Sequence, residues 1–261
     1  MTYQTILLES RSGITTLTLN RPEVLNSFND QMAQEVLAAL KEIERDQATR
    51  CLVLTGAGRG FCAGQDLEAL RARPGPAAFR QHLLDTFHPI VSRLRALGKP
   101  VIGQINGAAA GAGFGLALAC DMRYLAESAK FRYAFSGIGL APDSGISFFL
   151  PRLIGPARAF ELAATNLPVG ARAALELGLA EGVFPDAELA AEVRKIAAQL
   201  AHGPTKALGL LKRALNKSAG LSLDEALDYE AHLQEIAGQT ADHREGVAAF
   251  LEKRPAVFRG E

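Results

Sequence analysis

The sequence predicts an α/β fold in which buried parallel strands alternate with helices and a helical segment closes the chain. Two observations lead there. Cys51–Thr55 (CLVLT) and Val101–Ile105 (VIGQI) are nearly all apolar, as expected of strands covered on both faces, and each runs into a loop of small residues, Gly56–Leu67 (GAGRGFCAGQDL) and Asn106–Asp121 (NGAAAGAGFGLALACD). Beyond Pro142 the pattern turns helical. The division this implies is a strand–helix core over residues 1–195 and a helical region over 196–261.

Taken in order, Ile6–Leu8 and Ile14–Leu19 flank Ser12-Gly13 and read as a β-hairpin. Asn29 or Asp30 can cap a helix through about Arg45, with Met32, Val36, Leu37, Leu40 and Ile43 on one face. Arg71–Pro76 reads as a mobile loop. Phe79, Leu83, Leu84, Phe87, Ile90, Val91 and Leu94 follow at helical spacing, and Gly98-Lys99-Pro100 stops that helix. A further helix starts near Gly111–Gly113 and runs to Cys120, and Met122–Leu125 resumes as strand. Helices are expected at Ser144–Leu150, Pro156–Ala164, Ala171–Leu177, Ala187–Ala201, Thr205–Asn216, Leu223–Gly238 and Asp242–Glu252, with Ser222 and Glu225 forming a capping box.

Composition narrows the function. The chain has 261 residues, 48% hydrophobic and 21% charged, with a formal net charge of zero. That is enough apolar content for a sizeable core. It provides no broad basic footprint for nucleic acid or a membrane surface. Cys51, Cys62 and Cys120 stand in apolar or Gly/Ala surroundings without a CxxC, so reduced, buried thiols in a cytoplasmic protein are expected. The N-terminal MTYQTILLES lacks the pattern of a signal peptide. The five histidines are scattered without metal-ligand spacing, and surface or helix-packing roles and no metal site are expected.

The two small-residue loops are the features with chemistry. Gly and Ala leave backbone amides uncovered, and two such amides converging on one point suit a carbonyl oxygen that gains negative charge. One carboxylate stands apart, Asp143 in Leu140-Ala141-Pro142-Asp143-Ser144-Gly145, among apolar neighbours that include Phe148 and Phe149. An apolar setting raises a carboxyl pKa. By spacing alone Asp143 fits equally the cap of the following helix. Cys62 beside the first loop invites a nucleophile reading, but its apolar neighbours would not favour a thiolate.

Five segments, NRPEVLNSF (Asn20–Phe28), GRGFCAGQDL (Gly58–Leu67), KPVIGQINGAAAGAGFGLALACD (Lys99–Asp121), GIGLAPDSG (Gly137–Gly145) and DHREGVAAFLEKRPAVF (Asp242–Phe258), resemble in their order the crotonase, or enoyl-CoA hydratase/isomerase, superfamily. The resemblance implies a crotonase (ClpP-like) spiral of ββα units with C-terminal helices for trimerisation, trimers pairing into hexamers. It implies an acyl-CoA thioester as substrate, with coenzyme A entering as part of that substrate and no separate cofactor. By that resemblance Ala63 and Ala112 would supply the backbone N–H groups of an oxyanion hole. Val24, Asn26, Gly64, Gln65, Asp66, Leu67, Gly111 and Phe135 would line the substrate and CoA site, and Lys253 would reach a neighbouring subunit's CoA phosphate, although Lys253 also reads as a solvated helix end. The two hydratase glutamates fall at Gly115 and Phe135, neither of which moves a proton.

A single carboxylate, Asp143, then suits isomerisation. The Pro-Asp-x-Gly pattern looks most like the phenylacetate-pathway branch, which converts the ring epoxide of 1,2-epoxyphenylacetyl-CoA to an oxepin and can also shift a 3-enoyl-CoA double bond to the 2-position. Phe135 and Phe148 would shape a flat pocket for a ring, Phe148 being equally readable as core. The alternatives are an enoyl-CoA hydratase using Asp66, Glu68 or Glu127, and a non-catalytic acyl-CoA-binding oligomer.

Overall fold

The computed structural model describes residues 3–71 and 78–261. The hairpin pairs β1 (Ile6–Arg11) with β2 (Ile14–Leu19), antiparallel and in register from Ile6 opposite Leu19 to Arg11 opposite Ile14. Helix α1 (Asp30–Arg45) begins where Asn29 Oδ1 accepts the amide of Met32, and it buries Met32, Val36, Leu40 and Ile43 on one face.

Three strand pairs then build the core: β3 (Cys51–Gly56) with β4 (Gly60–Cys62), β5 (Val101–Ile105) with β6 (Ala108–Ala110), and β7 (Met122–Ala126) with β8 (Lys130–Arg132). The first strand of each pair joins one sheet and the second joins another. Between them lie α2 (Leu67–Arg71), α3 (Phe79–Asp85), α4 (Phe87–Ala96) and α5 (Ala112–Ala119). After β8 come α6 (Ile146–Ile154), α7 (Pro156–Thr165), β9 (Val169–Gly170), α8 (Ala171–Glu176), β10 (Gly182–Phe184), α9 (Leu189–Ala201), α10 (Thr205–Ser218), α11 (Leu223–Gly238) and α12 (Ala241–Glu252). The six-stranded sheet has the order β1-β2-β3-β5-β7-β10, parallel from β2 onward, and the four-stranded sheet has the order β4-β6-β8-β9.

β3 is buried at every residue. Helix α5 (AGFGLALA) is buried on all sides, which its small residues permit beside β4 and β6. The expected single helix from Phe79 to Leu94 is two, because the backbone breaks at Thr86 (φ −119°, ψ −84°), whose hydroxyl bonds the carbonyl of His82. The helix expected from Ser144 begins at Ile146. The boundary expected at residue 195 falls inside α9, which packs on β3, β5 and β7, so the core extends past that point. No helix among the described residues is long and apolar enough to cross a membrane.

Further ties brace these elements. Asp121 bonds the amide of Val101 and pairs with Arg95 (3.2 Å) and the buried Lys212 (2.8 Å), which fastens α10 to α4 and β5. Cys51, Cys62 and Cys120 are buried free thiols, each pushed up to about 12 by burial. Asn26, fully buried in the turn after β2, donates to the carbonyls of Ala57 (2.9 Å), Gly60 (2.8 Å) and Phe61 (3.3 Å) and accepts from the amide of Arg21 (2.9 Å). Removing this amide strands several buried backbone groups, so Asn26→Ala is expected to cost about 2–4 kcal/mol, read as a lower urea midpoint.

Candidate functional site

The first small-residue loop leaves β4 at Cys62. The amide of Ala63 donates to the carbonyl of Leu25 (2.9 Å), and that of Gly64 points to the sulfur of Cys62 (3.4 Å). Phe28 then forms an isolated parallel bridge with Gln65: the Phe28 amide bonds the carbonyl of Gly64 (2.7 Å), and the Phe28 carbonyl accepts from Asp66 (2.9 Å). In that bridge the N–H of Gln65 itself faces away from Phe28. It forms no hydrogen bond among the described residues.

The expectation that Ala63 offers the free amide is therefore corrected. Its hydrogen is committed to Leu25, and the open amide of this loop is that of Gln65. In a fully extended chain the amides of residues 63 and 65 would point to one side. Gly64, at φ +91°, breaks the alternation and turns them apart.

The second loop places Ala112 at the first position of α5. Its amide precedes the first intrahelical bond, which runs from Gly115 to the carbonyl of Gly111, so it is one of the open N-terminal donors. The two loops abut: a Cβ added to Gly64 would stand 3.2 Å from the nitrogen of Ala112 and 2.8 Å from the oxygen of Ala110.

Asp143 comes to the same place. It lines a cavity of about 160 Å³ whose wall includes Ala63, Gln65, Gly111, Ala112, Phe79, His82, Phe87 and Phe135. No other carboxylate belongs to that wall among the described residues. Burial holds the Asp143 carboxyl above the ordinary aspartate range, against the opposing hydrogen bond from Ser144 Oγ (2.7 Å) and the field of His88. The carboxylate does not cap α6. That helix starts behind Gly145, a left-handed residue without a side-chain cap, and only the backbone carbonyl of Asp143 is used, by the amide of Ile146 (3.1 Å). A Cβ at Gly115 would stand 2.6 Å from the carbonyl oxygen of Ser144, so side chain 115 is excluded by the segment that presents Asp143.

Phe135 is buried in the cavity wall, edge-on to Tyr133 at 5.3 Å. Leu67 stands at the rim, half exposed. Other expected contacts lie elsewhere. Asn26 has its side chain fully engaged with backbone and is a brace, not a ligand contact. Val24 ends a short 3-10 turn, half-buried and outside the cavity wall. The Asp66 carboxylate is partly buried, yet the amide of Ala69 and Arg21 (2.9 Å) hold it below the ordinary aspartate value.

Lys253 is exposed at the left-handed end of α12. Phe148 is neither core nor part of the Asp143 cavity wall: it is half exposed, beneath the Arg152 guanidinium at 3.6 Å. Arg71 is exposed, and Arg73 lies outside the described residues. Cys62, wholly buried with its thiol pushed up to about 12, is no nucleophile. Glu68 and Glu127 are exposed and off the cavity.

Of the surface or helix-packing roles expected of the histidines, His82 takes the buried one, on helix α3 and against the ring of Phe87. It is buried in the cavity wall, with Nε2 2.7 Å from Gln65 Oε1. Its position one turn after Phe79, beside Leu83 on the apolar face of α3, was the available signal.

Residues 9–261 match the family model described as enoyl-CoA hydratase/isomerase. The chain is 49% identical over 258 residues to the 1,2-epoxyphenylacetyl-CoA isomerase of Escherichia coli, covering 98% of each protein. It is 35% identical over 265 residues to the crotonyl-CoA hydratase of Syntrophomonas wolfei, covering 99% of each. The crystal structure of enoyl-CoA hydratase from Bacillus anthracis superposes with a TM-score of 0.94 at 34% identity, over 99% of this chain and 100% of the other. With its ββα units, helical C-terminal region and a match running nearly end to end, this chain belongs to the enoyl-CoA hydratase/isomerase, or crotonase, family.

Proposed function

We propose that this enzyme is an acyl-CoA isomerase that holds a thioester enolate between the amides of Gln65 and Ala112 while Asp143 moves a proton. The observation that carries the reading is the single carboxylate, Asp143, in the wall of the cavity that the two amides border. On a 3-enoyl-CoA, the Asp143 carboxylate takes the proton from C2, the negative charge moves to the thioester oxygen, and the same proton returns at C4 to leave the conjugated 2-enoyl-CoA. Each oriented N–H donor is worth about 3 kcal/mol of transition-state stabilisation.

A ring-bearing acyl group is the favoured substrate, and opening of an aromatic-ring epoxide to an oxepin is the second reaction of the same site. Three aromatic side chains, Phe79, Phe87 and Phe135, line the cavity. Its volume of about 160 Å³ is close to the ~150 Å³ of apolar cavities that take up benzene. The identity to the E. coli isomerase supports the same choice. Hydration would need a second acid/base group, for which Gly115 leaves no room. Coenzyme A enters as part of the substrate. Exposed apolar side chains on the last helices, Leu215, Phe250 and Leu251 among them, support self-association as trimers or pairs of trimers, tested by light scattering.

Purified enzyme given a trans-3-enoyl-CoA is expected to form the conjugated product, followed by absorbance. Asp143→Asn is expected to lose about a thousandfold or more in kcat while still binding CoA product. Equal turnover by the mutant sinks the assignment, and rapid hydration of crotonyl-CoA by wild type would replace isomerase by hydratase. Activity on the ring epoxide but not on the aliphatic substrate would leave Asp143 in place and narrow the substrate.

The raised Asp143 pKa has two measurable signs. The base form is lost as pH falls through a value above the ordinary ~3.9, so the acid limb of kcat/KM lies above that value and moves higher in Ser144→Ala, which loses a hydrogen bond to the carboxylate. The folded carboxyl also holds its proton more tightly than the unfolded one, so stability falls as pH rises between the two pKa values. Asp143→Asn is therefore expected to melt higher than wild type at pH ~7, with the difference vanishing near pH ~3; a difference independent of pH would contradict this.

A further inference from the structure

Gln65 is held by more than its backbone. Its Nε2 donates to the carbonyl oxygen of Asp66 (3.1 Å), which can only accept, so Oε1 faces His82 and the 2.7 Å bond requires a hydrogen on His82 Nε2. The other ring nitrogen, Nδ1, faces the carboxylate of Asp30 at 3.9 Å. His82 is itself fixed from beneath. Its carbonyl takes the hydroxyl of Thr86 (2.6 Å), and its ring meets that of Phe87 edge-on, 6.2 Å between centroids at 87°. Phe87 packs on Phe28 at 5.3 Å, and Phe28 is the residue whose backbone bridges Gln65. The contacts close a ring, Gln65 to His82 to Phe87 to Phe28 and back to Gln65.

We propose that His82 is a positioning residue, whose bond to the Gln65 side chain ties helix α3 to the first oxyanion loop and so keeps the Gln65 peptide N–H, oriented by the Phe28 bridge, in its place at the cavity. The inference rests on the reading of Gln65 as an oxyanion donor. The amide beside a kink such as Gly64, at φ +91°, has a neighbour free to rotate. The Phe28 amide holds the Gly64 carbonyl, which lies in the same planar peptide as the Gln65 N–H, and the bond to His82 holds the Gln65 side chain, so the loop segment carrying this peptide is pinned from both backbone and side chain. An N–H already aimed does not reorganise when charge develops, and this is the source of its value in the transition state. His82 donates nothing to the substrate in this role; it acts through Gln65.

The test uses the full-length enzyme and needs no turnover. The probe is para-dimethylaminocinnamoyl-CoA, whose absorbance moves to the red when N–H donors polarise its thioester carbonyl. Wild type is expected to bind it with a red shift. His82→Leu is expected to bind it with similar affinity and a smaller shift, to lose about tenfold in kcat with little change in KM, and His82→Gln, which restores an N–H near the position of Nε2, is expected to recover both. Gln65→Leu is expected to behave as His82→Leu does, and the double variant to be no worse than either single one, since both remove the same bond.

A shift that His82→Leu leaves intact, or losses that add in the double variant, overturns the proposal, as does failure of His82→Gln to recover. If His82→Leu does not fold, Gln65→Leu with His82 in place decides: an unchanged shift there overturns it equally. Wild type that binds the probe without any red shift removes the oxyanion reading itself and this inference with it.

Discussion

The site exists because three positions carry no Cβ. At Gly113 a side chain would collide with the carbonyl of Cys62, at Gly115 with that of Ser144, and at Gly64 with that of Ala110. Those contacts join the start of α5 to the first loop on one side and to the Asp143 segment on the other. Close packing of this kind has little slack, since interiors are filled to crystalline density. The helix can therefore be buried on every side, with its N-terminus opening on the cavity that Asp143 lines. The sheets supply the frame: each strand pair gives one member to either sheet, and the loops between sheets fall at one end of the structure.

The burial that organises the core also sets the charge of its groups. Burial holds the Asp143 carboxyl above the ordinary aspartate range against the hydrogen bond from Ser144 and the field of His88. Asp66, a few residues from the same cavity, is bonded by Arg21 and the amide of Ala69 and stays ionised. Two aspartates beside one site thus have opposite tendencies: deep burial with one opposing hydrogen bond raises Asp143, while shallower burial with Arg21 and the Ala69 amide lowers Asp66. Buried ion pairs elsewhere, such as Lys212 with Asp121, bear on how α10 is attached rather than on the chemistry.

Most of the larger elements were legible in the sequence, because α1, β3, β5 and α11 are long and strongly patterned. The small sheet was not: β4, β6, β8 and β9 are two or three residues each, too short for period-two alternation to register. The break at Thr86 was hidden because Phe79, Leu83, Phe87 and Ile90 keep helical spacing across it. Asp143, Ala112 and Phe135, which the cavity wall brings together, were reachable through the motifs that carry the family resemblance. The amide of Ala63 is bonded to the carbonyl of Leu25, and the φ of Gly64 turns the Gln65 amide away from it, neither of which a side-chain pattern encodes. Phe148 was misread because hydrophobicity does not say that an Arg152 guanidinium will cover the ring at the surface. His82 escaped because its role depends on α3 folding back beside Gln65, a contact between positions 17 residues apart.

The buried thiol of Cys62 gives the enzyme a clock. Its sulfur sits under the loop that presents Gln65, receives the amide of Gly64, and is held in the unreactive protonated form. A reagent that needs a thiolate reaches it only when the packing of this loop and α5 over β4 opens. The rate of alkylation under native conditions then counts openings of that packing, with global unfolding setting its lower limit. Bound ligand that seats the loop would slow the clock. Oxidants in the surrounding medium would reach the sulfur only on the same schedule, so the chemistry of the site is insulated from redox stress for as long as the loop stays down.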